Sequence, residues 1–128
     1  MTDLIIDTSV LVDVLRGQMQ AVAFVDAQRA TSGLTTHVIV VAELLAGARN
    51  AREQSEIDSF ASAFSLLSPT DADALSALDL FRRFHLSHGV DWPDCQIAAT
   101  AMRLSCTVAT QNVKHFAPFT GLLVVRAY

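Results

Sequence analysis

Three acidic side chains stand alone in otherwise apolar stretches, each where a carboxylate could meet a ligand. Asp7 ends the short β-branched run Leu4-Ile5-Ile6 and is followed at once by Thr8 and Ser9, residue types that open helices. It therefore falls at the carboxyl end of an expected strand, the rim where open α/β sheets bind ligands. Glu43 is the only charge in the run Val38 to Gly47, with Ile39, Val40, Ala46 and Gly47 as its helical neighbours, so its carboxylate needs a partner. Asp94 follows Pro93, a natural first helical residue, and heads a stripe of Ile97, Ala98 and Ala101 that should pack on a sheet. On the residues alone, each also has a plainer account. Asp7 can cap the next helix, Glu43 can face water, and Asp94 can simply complement a helix dipole. Both accounts stand open at this point.

Other polar residues carry less. His85 and His88 share an i, i+3 spacing that could hold a metal, but no acidic or cysteine ligand adjoins them, and they read as exposed residues near a helix C-terminus. Asp91 reads as a cap or a peripheral carboxylate. Cys95 and Cys106 make neither a metal spacing nor a disulfide framework and read as core thiols.

The elements that must position these residues alternate along the chain. Strands are expected at residues 4–6, 34–36, 65–68, 106–110 and 122–125, from short apolar or β-branched runs bounded by turn residues. A helix opened by Thr8 and Ser9 should continue through Val10 to Leu15, where Arg16-Gly17 closes it, and a second should run over 18–28, with 29–33 as a polar exit. The apolar run from Val38 is read as a helix, since Ala42, Leu44, Leu45 and Ala46 favour one and Gly47 suits its end. Arg49, Arg52, Glu53 and Glu56 form a solvated charge run leading into a helix through Ile57, Phe60, Ala61 and Phe64. A longer helix capped by Thr70 or Asp71 reaches His88-Gly89, and another starts at Pro93. Such alternation predicts a mainly parallel sheet with right-handed crossovers and helices on both faces, a three-layer α/β/α domain.

With 128 residues, a single domain spanning 1–128 is expected. The chain is 52% hydrophobic with mean hydropathy +0.38, more apolar than one small core requires, which points to a partner chain. No apolar run approaches the roughly 20 residues that span a bilayer, and Met1-Thr2-Asp3 lacks the basic start of a signal peptide, so a cytoplasmic protein is expected. A net charge of −4 argues against duplex binding by a wholly basic surface but leaves room for a local basic groove.

Four stretches in order then carry a resemblance that spans essentially the whole chain. They are Asp7-Thr8-Ser9-Val10-Leu11-Val12-Asp13, Ala42-Glu43-Leu44-Leu45-Ala46-Gly47, Asp94-Cys95-Gln96-Ile97-Ala98-Ala99-Thr100-Ala101 and Thr110-Gln111-Asn112-Val113-Lys114-His115-Phe116. The sequence resembles the PIN-domain family, and more closely its small bacterial ribonuclease toxins of the VapC type. The resemblance implies a five-stranded sheet of order 3-2-1-4-5, with the reversal beside strand one at Asp7. It also implies that Asp7, Glu43 and Asp94 bind a divalent ion, Mg²⁺ with Mn²⁺ able to substitute. Three carboxylates drawn from separate segments can meet only if a cation offsets their repulsion, and hard oxygen donors suit Mg²⁺. Such an ion lowers the pKa of water, the nucleophile on an RNA phosphodiester; if two bind about 3.5–4 Å apart, the second steadies the leaving oxygen.

Thr8, Ser9 and Thr110 are implied as groups that orient phosphate or the metal's ligands. Where the family often has a fourth acid, this chain carries Asn112 and His115 and no carboxylate. One tightly held ion with a substrate-assisted second is therefore expected, Asn112 holding water or phosphate and His115 available for leaving-group protonation or substrate contact. The implied partners are an RNA substrate, a small antitoxin able to bind DNA, and a second copy within a larger toxin–antitoxin complex. Kept beside this are a PIN nuclease for RNA maturation or DNA, a receiver-like phosphoacceptor domain, and an inactive binding module.

Overall fold

The computed structural model describes residues 4–128; Met1 to Asp3, whose composition bore on export, lie outside the described residues. β1 (Leu4–Ile6) leads through Asp7 into α1 (Thr8–Leu15), and α2 (Met19–Thr31) follows. β2 (Thr35–His37) passes without a loop into α3 (Val38–Ala46), then α4 (Ala51–Ala61) and β3 (Ser65–Leu67). The long α5 (Asp71–His88) and α6 (Trp92–Leu104) precede β4 (Thr107–Thr110), a short α7 (Val113–Phe116) and β5 (Leu123–Arg126). The five strands run parallel in the order β3-β2-β1-β4-β5, as the resemblance implies.

The sheet is centred on its first strand. Ile5 pairs with Thr35 on one side and Val108 on the other, and Ile5 and Ile6 are completely buried. Chain order reverses here, β2 and β3 being added on one side and β4 and β5 on the other, which opens a crevice beyond the ends of β1 and β4. The Asp7 N–H extends the ladder one step by donating to the Ala109 carbonyl at 2.9 Å, so Asp7 is anchored to β4. Against this sheet packs α6, buried at every position from Asp94 to Ala101, which is why Ile97, Ala98, Ala99 and Ala101 there are apolar and mostly small.

Local chemistry accounts for the differences from the sequence expectations. Arg29 and Thr31 belong to the last turn of α2 rather than to a polar exit, the Thr31 hydroxyl bonding back to the Ala27 carbonyl at 3.1 Å. Of the charge run, Arg52, Glu53 and Glu56 lie inside α4, because Asn50 caps that helix by accepting from the Glu53 N–H at 2.9 Å, while Arg49 just precedes the cap and pairs with Glu53. Of the two candidate caps for α5 it is Thr70 that serves, in a capping box with Asp73. Pro93 is the second residue of α6, with Asp91 as its cap. His85 stacks on Phe81, and His88 meets Phe84 edge-on. Among the described residues, no helix is long and apolar enough to cross a membrane. Exposed Met19, Leu75 and Leu86 supply the apolar surplus that the composition predicts.

Candidate functional site

A cleft of about 380 Å³ opens at the strand-order reversal, and seven of the eight residues singled out from the sequence line it: Asp7, Thr8, Ser9, Glu43, Asp94, Asn112 and His115. The eighth, Thr110, stands directly behind Asp7 and donates from its hydroxyl to Asp7 Oδ2 at 2.7 Å. The Ser9 hydroxyl donates to the same oxygen at 3.2 Å. Asp7 makes no side-chain cap to α1, whose first N–H bonds go to the Asp7 carbonyl instead. The capping account of Asp7 therefore fails. Its carboxylate commits one oxygen to two hydroxyls.

The hydroxyls are held in turn. Ser9 Oγ accepts from the Gln111 N–H at 3.0 Å, and Thr110 Oγ1 accepts from the Asn112 N–H at 2.9 Å. The Gln111 side chain then ties down the end of the chain, accepting from the N–H groups of Ala127 and Tyr128 and donating to the Tyr128 carbonyl. Asn112 precedes α7 without capping it, which leaves its amide side chain to the cleft.

Glu43 reaches the cleft from α3, where the Thr8 hydroxyl donates to its Oε1 at 2.8 Å. It lies on the solvent side, as the water-facing account holds, and yet is fixed by that bond. Partial desolvation, together with the charges of Asp7 and Asp91, raises its pKa against the opposing Thr8 bond.

Asp94 is the most unusual group. It is 7% exposed, and its Oδ2 is buried with no hydrogen-bond partner. Burial, then neighbouring Asp91, then Asp7 push its pKa up to about 8. Attraction to a helix dipole alone would leave that carboxyl in water or bonded to its own N-terminal N–H groups. Here Asp91 takes the cap, accepting from the Asp94 N–H at 3.0 Å, and Asp94 Oδ2 is left without a hydrogen bond.

The cleft is also more acidic than the sequence suggested. Asp13 and Asp91 line it too, with Arg16 as its only Lys or Arg side chain. The helical period from Ser9 to Asp13, and from Thr8 through Val12 to Arg16, was the available signal for the α1 residues. Tyr128 donates to Asp13, and burial with that bond raises the phenol's pKa. No three His, Cys, Asp or Glu side chains among the described residues converge tightly enough to enclose an ion unaided. The donor set is open, a form that suits a hydrated cation completed by water and substrate.

A buried polar chain behind the cleft was not foreseen. His37 is fully buried; its Nδ1 accepts from the Ile39 N–H at 3.0 Å, capping α3, so its proton sits on Nε2 and is given to Thr100 Oγ1 at 3.1 Å. Thr100 donates to Asp73 Oδ2 at 3.3 Å, and Arg103 grips both Asp73 oxygens at 2.7 and 2.9 Å. The helix bearing Glu43 is thereby latched to the helix bearing Asp94. Thr100→Val should strip a buried donor of its acceptor and cost about 1–2 kcal/mol, a fall in Tm of roughly 3–6 °C by differential scanning calorimetry. Burial also lowers the His37 pKa below 6.5. The unfolded chain takes up a proton that the folded ring refuses, so this contribution is intact above pH 6.5 and is lost as pH falls through the lowered folded value.

A PIN domain family model matches residues 4–117. Ribonuclease VapC19 of Mycobacterium tuberculosis strain H37Rv is 37% identical over 121 residues, covering 92% of this chain and 95% of that protein. A toxin–antitoxin complex from Klebsiella pneumoniae superposes with a TM-score of 0.76 at 25% identity, over 99% of this chain and 98% of its counterpart. VapBC2 from Rickettsia felis, bound to a promoter DNA fragment, shares the fold at a TM-score of 0.81 and 20% identity, over 98% of both chains. The cleft at the strand-order reversal, the model match and the identity over nine-tenths of the length agree: this chain belongs to the PIN-domain family, in its VapC branch.

Proposed function

We propose that this chain is the endoribonuclease toxin of a toxin–antitoxin pair, hydrolysing RNA phosphodiesters with a divalent ion, Mg²⁺ or Mn²⁺, held by Asp7, Glu43 and Asp94. The observation that carries this is the orphaned Asp94 Oδ2, a buried carboxylate oxygen without a hydrogen bond in a cleft lined by five carboxylates. Such a cleft repels a polyanion unless a cation fills it. Bound there, the ion supplies Lewis acidity toward water and the phosphoryl oxygen. The chain's own groups supply the order: Ser9 and Thr110 hold Asp7, Thr8 holds Glu43, and Asn112 with Arg16 meets phosphate at the open side. A second groove, of about 530 Å³, shares Val12, Arg16 and Glu43 with the cleft and continues over Leu15, Leu44 and Ile57. An antitoxin segment laid in it would close the cleft, and the exposed leucines of α5 suit assembly into a larger complex in the cytoplasm.

Cleavage of total RNA by the purified chain, with and without chelator, tests the reading. Activity should vanish in excess chelator and return with Mg²⁺ or Mn²⁺. Glu43→Gln should lose far more activity than Asn112→Ala, because the first removes an anionic ligand, whereas the second removes a neutral group that orients water or phosphate, a defect of roughly 10-fold to 100-fold. Full cleavage in chelator, or equal losses in the two variants, would refute the assigned roles.

A further inference from the structure

The loop that lacks a fourth carboxylate brings a different donor to the same place. His115 Nδ1 lies 3.4 Å from Asp94 Oδ2, the buried oxygen that has no hydrogen bond. That separation and alignment make no hydrogen bond between them. It is, however, the spacing of two atoms that share one ion: ligands about 2.1 Å from a common centre, at octahedral or tetrahedral angles, stand about 3.0–3.4 Å apart. The imidazole is also held in position. Phe116, next in the chain, is 1% exposed and packs edge-on against buried Phe119, while the His115 N–H donates to the Asn112 carbonyl at 3.0 Å. Helix α7 is thus pinned to the core by one residue and offers the next to the cleft. The ring itself is half exposed, free of the desolvation that would oppose a charged neighbour.

We propose that His115 is a direct ligand of the divalent ion, bridging it with Asp94 Oδ2, so that this cleft binds a mixed nitrogen and oxygen set and prefers Mn²⁺ and similar transition ions to Mg²⁺. The proposal rests on the metal reading of the cleft above. Its chemistry follows from the donor: imidazole suits first-row transition ions, whereas Mg²⁺ takes oxygen ligands and keeps its waters. A loop that offers an imidazole and no carboxylate also adds no negative charge to the cleft, so it does nothing to strengthen the hold on a hard cation.

Pulsed electron paramagnetic resonance on the full chain loaded with Mn²⁺ tests this without recourse to activity. The wild type should show hyperfine coupling to one directly bound ¹⁴N nucleus, and that coupling should be absent from His115→Ala and His115→Asp, both of which still bind Mn²⁺. Calorimetric titration with each ion should show the ratio of Mn²⁺ to Mg²⁺ affinity falling about tenfold in His115→Asp, which restores an all-oxygen set. Bound Mn²⁺ without nitrogen coupling in the wild type, or coupling that survives in His115→Ala, would overturn the assignment of His115. A wild-type chain that binds no Mn²⁺ at all would overturn the metal reading itself.

Discussion

Asp94→Asn should cut RNA cleavage by a factor on the order of 10³ or more and, in the same molecule, make the metal-free protein more stable. The two effects share one cause. In the folded chain the Asp94 carboxyl is buried beside Asp91 and Asp7, and its pKa is pushed up to about 8 from an ordinary value near 3.8. Between those values the folded state holds a proton that the unfolded state has released, so this group's contribution to stability falls as pH rises from about 4 to about 8. Asparagine keeps the shape and removes the charge. The variant should gain about 1–2 kcal/mol at pH 8, seen as roughly 3–6 °C in Tm in the presence of chelator, and the gain should shrink toward pH 5. Mn²⁺ should raise the Tm of the wild type and do little for the variant. A wild-type and variant pair with parallel Tm profiles across this range would show that the Asp94 carboxyl is not held against its charge.

The second large effect lies away from the cleft. Asp73→Ala should destabilise the fold by about 2–4 kcal/mol, measured by urea denaturation, because it removes at once several hydrogen bonds and a buried carboxylate that anchors a half-exposed arginine. Asp73 is 2% exposed, is gripped by Arg103 through two bonds, accepts from Thr100, and closes the capping box of α5 by accepting from the Thr70 N–H at 3.0 Å. The Arg103 guanidinium holds its carboxyl down at about 2. With the folded pKa below the unfolded one, the stabilisation is complete above pH 3.8 and fades as pH falls toward 2. Asp73→Asn should lose less than alanine, since an amide retains the cap. Equal losses from both substitutions would place the stabilisation in the ion pair and leave nothing to the cap.

What could be read from the sequence followed the range of the interactions. Strand one, the elbow at Asp7 and the helix from Val38 are set by neighbours within a few residues, and all stand where expected. The strand order came from the resemblance to a known family, since periodicity alone allows several orders. The same family membership sets aside the receiver-like alternative. Long-range polar chemistry was invisible: nothing near Asp73 announces Arg103, 30 residues on, and His37 gave no periodic signal at the junction of strand and helix. Asp91, which the sequence presents as a cap or a peripheral carboxylate, caps α6, and that position also places its carboxylate at the cleft. Helix α7 escaped because four residues are too few to show a period.

The placement of β1 at the centre of the sheet has a consequence for how the protein is made. Asp7 leaves the ribosome early, yet the hydroxyl that holds its carboxylate belongs to Thr110, 103 residues later, and its N–H bonds to Ala109. At translation rates of roughly 5–20 residues per second, the first strand waits about 5–20 s for its second neighbour. Throughout that interval Asp7, Glu43 and in time Asp94 are all present in the growing chain without β4 to order them. Synthesis in this order leaves the Asp7 carboxylate without the hydroxyl that fixes it until almost the last strand has been made.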